Sequence, residues 1–305
     1  MNAGLDPEPV SALLARAPGP LARRLDSVRV IASGLGVAVW WVGGGVRDLL
    51  RGAPTVDIDL VVEGLASAER LAGALADGLG GRLRRHERFL TSTLELADGA
   101  AFDVAAARSE TYDAPGALPR VNPAGLDQDL LRRDFSINAI ALRISPPPPE
   151  LRDPSNGRLD LAAGILRVLH EVSFRDDPTR ILRGLRFERR FGFHFDAATE
   201  AQAREVLAAG VLAAVSGERL RSDLARLFER PEELWPAFTR GAGLGLWRGI
   251  DSGLEGALPD TGRVADVTAA AATLAWTTPV PGAPSAWRLA LLLLVESLPR
   301  SRRRS

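Results

Sequence analysis

Val42-Gly43-Gly44-Gly45-Val46-Arg47-Asp48, followed by Thr55-Val56-Asp57-Ile58-Asp59-Leu60-Val61-Val62, places a glycine turn and a pair of acids on two apolar strands. Glycine lets a backbone approach a phosphate closely, because no Cβ stands in the way. A helix over Val46 to Arg51 would add N–H donors and a positive dipole end for an anion. Residues two apart in a strand share a face, so the spacing predicts Asp57 and Asp59 on one side and Val56, Ile58 and Leu60 on the other. Adjacent carboxylates repel unless a cation sits between them, and hard oxygen ligands suit Mg²⁺ that is also held by substrate phosphates. The stretch reads as a metal site beside a phosphate cradle, the equipment of a nucleotidyl transferase. Asp-x-Asp alone is a weak signal, often merely solvated. The apolar flanks sharpen it, since they predict a buried strand where spare carboxylates are costly.

Outward from this stretch, 305 residues suggest two or three folded units, with 46% apolar residues to build their cores. No uncharged apolar run reaches eighteen residues, so no membrane span is expected. Asp6 and Glu8 stand where a secretory leader would be basic, which makes a cytoplasmic setting the expectation. The absence of cysteine excludes disulfides and thiolate metal sites. The formal net charge is zero and all 38 basic side chains are arginine, clustered at 82–88, 132–133, 180–190, 219–230 and 300–304. Biased genomic composition accounts for the missing lysine. The local clustering is still compatible with RNA contact, and guanidinium forks match phosphate and carboxylate edges. No protein partner is indicated.

Along the chain, residues 1–24 read as an N-terminal extension with a short helix (Val10 to Ala17) stopped by Pro18-Gly19-Pro20. Leu21 to Leu35 carries helical spacing and Val37 to Val42 is a strand. Ser67 to Leu79 is an amphipathic helix. Leu90 to Leu96 and Ala101 to Ala107 are strands joined by an Asp98-Gly99 turn. Tyr112 to Leu126 reads as a loop, and Leu130 to Leu142 as a helix running into a strand. The Pro146–Pro149 run cannot continue a helix or central strand and predicts a domain boundary. Beyond Leu161 the pattern is helical: Pro178 to Phe191, Ala197 to Ala209, Gly217 to Glu229 and Trp287 to Val295, with weak patterning over Gly241 to Pro284.

Three further groups of residues carry chemistry. Asp103, in Ala101-Phe102-Asp103-Val104, is either a third carboxylate or a strand acid facing water. In Asp129-Leu130-Leu131-Arg132-Arg133-Asp134-Phe135-Ser136-Ile137-Asn138-Ala139, Asp129 is a helix cap with Arg133 paired to an acid, or Arg132, Arg133, Asp134 and Asn138 face a substrate. In the second reading the arginines take phosphate or a ribose oxygen, and Asp134 accepts from a 2′-hydroxyl. In Phe174-Arg175-Asp176-Asp177-Pro178-Thr179-Arg180-Ile181-Leu182-Arg183-Gly184-Leu185-Arg186-Phe187, Asp before Pro is an expected helix start. Arg180, Arg183 and Arg186 recur every third residue as a positive stripe without acids of its own, which calls for an anionic partner such as a triphosphate.

Taken in order, Gly43–Asp48, Asp57–Asp59, Phe102–Thr111, Asp129–Ala141, Asp153–Leu169, Asp176–Phe193 and Ser216–Leu224 resemble the class II tRNA nucleotidyltransferases, the CCA-adding enzymes of the polymerase-β-like superfamily. The resemblance covers residues 25–230. It implies an α+β chain: a nucleotidyltransferase head with a mixed sheet and helices (25–147), then an all-α neck (148–215) and a helical body with a short tail that binds RNA (216–305). It implies template-independent addition of C and/or A, from CTP or ATP, to the 3′ end of tRNA. Two Mg²⁺ ions held by Asp57 and Asp59 would serve attack of the terminal hydroxyl on the α-phosphate, with pyrophosphate leaving.

Gly43, Gly44 and Arg47 match nucleotide-contacting head residues, and Arg132, Arg133 and Asp134, with Asn138, the ribose-recognition motif. Asp177 and Arg180 match the pair that reads the base, with Arg183 and Arg186 on the same helix. A carboxylate only accepts and a guanidinium only donates. Cytosine and adenine both offer an amine donor beside a ring-nitrogen acceptor, whereas uracil and guanine reverse that order and would leave buried groups unpaired.

A bacterial poly(A) polymerase shares head and neck, but Asn138-Ala139-Ile140-Ala141 resembles the tRNA-enzyme form. A silent RNA-binding protein on this scaffold is disfavoured by the intact Asp-x-Asp. Tyr112–Val121 lies where the family's flexible loop helps switch from C to A, and the product (CCA, CC or A) stays open. Asp176-Asp177 departs from the family's usual Glu-Asp. Residues 241–305 match nothing in it, so either the RNA-gripping tail is short or part of it is lacking.

Overall fold

The computed structural model describes residues 10–255, 258–273, 286–296 and 298. The first nine residues of the expected extension and the Arg300–Arg304 tail lie outside them. Contacts divide the chain into two compact units, residues 1–111 with 119–163, and residues 112–118 with 164–305.

The first unit begins with α1 (Val10–Ala15) and α2 (Gly19–Leu35). Strand β1 (Val39–Val42) runs through the glycine turn into α3 (Gly44–Leu50), and β2 (Ile58–Val62) leads to α4 (Leu65–Leu79). Strands β3 (Arg82–His86), β4 (Thr91–Glu95) and β5 (Ala101–Ala106) follow, with the Asp98-Gly99 turn between β4 and β5 as expected. A hairpin, β6 (Arg108–Thr111) and β7 (Arg120–Pro123), occupies part of the segment expected to be loop. Then come α5 (Leu126–Leu131), a 3₁₀ turn (Ser136–Asn138), β8 (Ala141–Ser145), β9 (Leu151–Arg152) and α6 (Gly157–Ala163).

Among the described residues, seven strands form one mixed sheet in the order β3-β4-β5-β2-β1-β8-β9, with β2 and β5 parallel. Alternation decides its two faces. Val39, Trp41, Ile58, Leu60, Val62, Phe102 and Val104 point into a core closed by Leu25 and Val28 of α2 and Leu71 and Leu75 of α4. Asp59 and Asp103 belong to the opposite set. Val42 and Val61, both buried, share that opposite face with the two acids.

Two expectations change. Leu130 to Leu142, expected as a helix running into a strand, does reach strand β8, but the helix stops early: α5 ends at Leu131, and the chain turns through Ser136–Asn138 before β8. Side-chain bonds hold that turn, with Ser136 Oγ donating to Asp160 Oδ2 (2.6 Å) and Phe135 N to Asp134 Oδ1 (2.8 Å). Helical periodicity registers neither the local bond at Asp134 nor a partner 24 residues away. The Pro146–Pro149 run, expected to divide domains, is the connection between β8 and β9, both in the head sheet; packing divides the chain after Ala163.

The second unit is helical around two short parallel strands, β10 (Ile165–Leu166) and β11 (His194–Phe195). Its helices are α7 (Ser173–Asp176), α8 (Thr179–Phe191), α9 (Ala197–Ala208), α10 (Gly217–Leu227), α11 (Leu234–Leu244), α12 (Leu246–Ile250), α13 (Thr261–Thr273) and α14 (Ala286–Glu296). The weakly patterned stretch after Gly241 therefore contains helix. Phe228, Phe238 and Trp247 stack as a buried aromatic cluster, with centroids 4.9 to 6.1 Å apart. No described helix is long and apolar enough to cross a membrane.

Two glycines of the first unit separate close approach from mere flexibility. A Cβ on Gly45 would stand 2.4 Å from the Asp57 carbonyl oxygen and 2.6 Å from the Trp41 ring, whereas one on Gly73, inside α4, would meet nothing within 4 Å. Gly45→Ala is expected to destabilise by roughly 1–3 kcal/mol through overpacking. Gly73→Ala is expected to stabilise by about 1 kcal/mol through helix propensity. Denaturant melts of the two variants check both signs.

Candidate active site

Register builds the acidic row. Val42 of β1 pairs with Asp59 of β2, Asp59 with Asp103 of β5, and Asp103 with Thr93 of β4. Thr93 Oγ1 donates to Asp103 Oδ1 at 2.6 Å. Asp57 lies one residue before β2 instead of inside it, and is exposed. It nevertheless reaches the same place: a Cβ on Gly44 would stand 3.9 Å from Asp57 Oδ2, and one on Gly43 would stand 3.4 Å from Asp59 Oδ2. Gly43, at φ 75°, occupies the left-handed region that glycine tolerates best. Trp41 Nε1 donates to the Asp57 carbonyl (3.1 Å) and fixes the chain's entry into β2. Burial, and then the neighbouring charges of Asp103 and Asp57, push the Asp59 carboxyl up to about 6 against the pull of Arg133.

Arg133 is the counter-charge at this point. A Cβ on Gly43 would lie 3.1 Å from its Nη1, so its guanidinium sits against the turn. Asp129, wholly buried, holds it there by accepting from Arg133 Nη2 (2.9 Å), and accepts also from Arg132 Nε (3.0 Å) and Nη2 (2.7 Å). Burial pushes Asp129 up, but Arg133 and Arg132 outweigh it and hold the carboxyl below its ordinary value. Arg132 Nη1 donates to Glu110 (2.6 Å), whose carboxylate is 3.6 Å from Arg108. Asp129 lies within α5 and anchors both arginines; it is not the cap, a position that Gly125 takes.

A second buried chain of bonds ties the glycine turn to the Asp134–Asn138 segment. Arg47, 4% exposed, clasps Asp48 through Nε and Nη2 (2.9 Å each), and its Nη1 donates to Asn138 Oδ1 (2.7 Å). Asn138 Nδ2 donates on to Asp134 Oδ1 (2.9 Å). Residues 91 positions apart are joined here by a single bond.

In the second unit, Asp177 precedes α8. Its Oδ1 accepts from Thr179 N (3.1 Å), Thr179 Oγ1 (2.7 Å) and Arg219 Nη2 (2.9 Å). Arg219 Nη1 also donates to the Gly116 carbonyl (2.9 Å), so one guanidinium joins residues 112–118 to Asp177. Arg180 is buried, with Nη1 donating to Ser173 Oγ (2.7 Å) and 3.5 Å from His170 Nε2. Burial and the Arg180 charge lower His170. The arginine stripe is not without acids once folded. Arg183 interacts with Asp223 of α10, and Arg186 with Glu229.

Residues 39–167 match the poly A polymerase head domain. The chain is 41% identical over 229 residues to an A-adding tRNA nucleotidyltransferase of Halalkalibacterium halodurans, covering 74% of this chain and 53% of that one. It is 37% identical over 219 residues to a CC-adding tRNA nucleotidyltransferase of Deinococcus radiodurans, covering 69% and 57%. A solved CCA-adding enzyme in its apo form superposes with a TM-score of 0.82 at 32% identity, covering 96% of this chain and 68% of that one. The chain belongs to the class II tRNA nucleotidyltransferase family. It spans about half the length of the curated relatives it matches.

Nucleotidyltransferases of this family use a divalent metal. Among the described residues no three or more His, Cys, Asp or Glu side chains gather as a metal cluster. The donor set still fits a hard cation: acid oxygens converge on a glycine turn, and Asp59 bears a repulsion that a cation relieves. Substrate phosphates would complete the coordination. Relative to the residues singled out in the sequence, the structure brings Gly43, Gly44, Asp57, Asp59, Asp103 and Arg133 together. It joins Arg47 to Asn138 and Asp134, and sets Asp177 and Arg180 at the start of α8. It adds Asp129, Glu110 and Arg219. Asp129 was legible as the i−3 and i−4 partner of two arginines, whereas Arg219 lies 42 residues from Asp177 and leaves no local signal.

The ionised form of Asp59 is the costly one, so its penalty is absent below the ordinary value of 3.8 and complete above about 6. Asp59→Asn is therefore expected to be more stable than the parent near about pH 8, by roughly 2–3 kcal/mol without metal. The gap is expected to close as pH falls to about 4. Paired melts with a chelator across that range check the sign.

Proposed function

We propose that this chain adds nucleotides without a template to the 3′ end of tRNA, taking ATP, CTP or both and releasing pyrophosphate. The observation that carries the reading is the row Asp57, Asp59 and Asp103 against the glycine turn, with Arg133 beside it, in a chain of this family. Asp57 and Asp59, with Asp103 alongside, would hold two Mg²⁺ ions, which supply charge stabilisation at the α-phosphate and at the attacking and leaving oxygens. Gly43 and Gly44 let the triphosphate approach the backbone, and Arg133 faces it as a fixed cation. Arg132, Asp134 and Asn138 orient the ribose, with Arg47 bracing Asn138 from below.

Of the residues expected as the neck, those from 164 to 215, in the second unit, serve to select the base, and residues from 216 onward serve as an RNA-binding body. Asp177 receives its three internal bonds on Oδ1, which leaves Oδ2 to accept from an exocyclic amine. Arg180, buried and tied to Ser173, is a donor fixed in direction, and Arg183 follows it on α8. A cytosine or adenine edge satisfies this pair; uracil and guanine oppose donor to donor. A cytoplasmic setting goes with a tRNA substrate. Between products, addition of A is favoured, as in the relative of 41% identity.

The test is extension of three tRNAs, ending before C, after C and after CC, with each nucleotide separately. A single A on the CC-ended tRNA is the expected product. Long A tails on any RNA would instead indicate a poly(A) polymerase, and no extension at all would leave an RNA-binding protein. Asp177→Ala is expected to lose about 100-fold or more of the preference for ATP and CTP over GTP and UTP, with metal binding intact. Arg219→Ala is expected to lose part of the same preference. An unchanged preference in Asp177→Ala would remove base reading from α8.

A further inference from the structure

At the far end of α8 from Asp177 lies a cavity of about 290 Å³ that the proposed chemistry does not use. Arg186, Arg189 and Arg190 line it from α8, and Arg226 and Arg230 from the end of α10 and the residues after it. Two carboxylates, Glu229 and Glu233, share the wall with these five guanidinium groups. Glu233 is 2.9 Å from Arg189 Nη2 and, more loosely, 3.9 Å from Arg230. Arg226 has its acid outside the cavity, Asp223 at 3.5 Å. Five guanidinium groups against two lining carboxylates leave the lining positive in a chain whose total charge is zero.

We propose that this cavity is a phosphate-binding site that grips the sugar–phosphate backbone of the RNA whose end is being extended. The inference rests on the RNA reading above and deepens it, because it places a grip on the acceptor at a named position, the end of α8 opposite Asp177.

Three observations support it. Arg189, with a side chain 10% exposed, keeps Nη1 buried without a hydrogen-bond partner, a donor deficit that an anion in the cavity could relieve through small rearrangement. Burial first, and then the like charges of Arg190, Arg226 and Arg183 against the pull of Glu229, lower Arg186, so its arginine neighbours repel it within the cluster. An anion removes that cost. Finally, the wall is built of guanidinium forks, which match phosphate oxygens two at a time. The cavity's lining is polar and charged apart from Leu227, which does not suit an apolar ligand.

The test uses the full chain and the double substitution Arg190→Gln with Arg226→Gln, both exposed side chains outside the nucleotide-reading set. Each backbone phosphate contact contributes close to one unit to the slope of log affinity against log salt. The double variant is therefore expected to bind tRNA with a slope shallower by about 2, and about tenfold more weakly at moderate salt. KM for tRNA should rise while kcat and KM for the nucleotide stay put. Inorganic phosphate, titrated into the parent and variant proteins and followed by NMR of the arginine side chains, distinguishes the sources. Phosphate binding that the variant loses, with unchanged tRNA affinity and slope, would assign the cavity to a free phosphate and overturn the proposal. Unchanged tRNA binding without any phosphate binding overturns it as well. A parent chain that binds tRNA with the expected slope but extends none would sink the enzymatic reading while leaving this site standing.

Discussion

Carboxylates crowded on one face of the sheet are the constraint around which the first unit is arranged. Asp59 is largely buried beside Asp103 and near Asp57, and its ionised form is disfavoured by burial and by both neighbours. Arg133 offsets this, and Arg133 is itself positioned by Asp129, which is wholly buried. Asp129 stays ionised because Arg132 and Arg133 face it together. The result is an alternation of acid and arginine running from the sheet into α5 and on to Glu110 of β6. Removing one member of such a buried pair leaves the other uncompensated, which costs far more than an exposed pair would. The site's geometry and the unit's electrostatic balance are therefore one problem with one solution.

Close packing does the rest. Gly45 lies so near the Asp57 carbonyl and the Trp41 ring that a side chain there would have to displace backbone or ring. Trp41 is fully buried in the core yet donates to the carbonyl of Asp57, so a core residue sets the position of a candidate metal ligand. Gly157 repeats the device behind the site. Its missing side chain lets α6 press on the Ser136 carbonyl, which a Cβ would approach to 2.1 Å. A helix and the turn carrying Asn138 are thereby locked together.

The second unit uses arginine differently along a single helix. At its start, Arg180 is buried, bonded to Ser173 and near His170 and Asp176, and Asp177 is approached by Arg219 from another helix. At its end, arginines accumulate with too few acids. Under the proposed function these are two modes of recognition: a fixed hydrogen-bond edge for a base, and a field of forks for phosphates. Arg219 bonds both the Gly116 carbonyl and Asp177, so one guanidinium links the segment 112–118 to this acid.

Alternation and glycine placement made the sheet, the glycine turn and the acid pair legible, because strand period and turn chemistry are local properties. The helical second half was legible for the same reason, as were Asp177 and Pro178 at the start of α8. The break at Ser136–Asn138 was not, since it depends on Asp160 and on contact with Gly157, more than twenty residues on. Nor was the true division after Ala163, because β9 returns to the head sheet beyond the proline run. By itself the sequence determined which residue types and periods were present, and so the α+β class and the chemistry they can perform. Only the tertiary structure decided which charges meet. Arg47 with Asn138, Arg133 with Asp59, and Arg219 with Asp177 are each brought together by packing across long sequence separations, and a pattern of local spacing carries no information about such pairs.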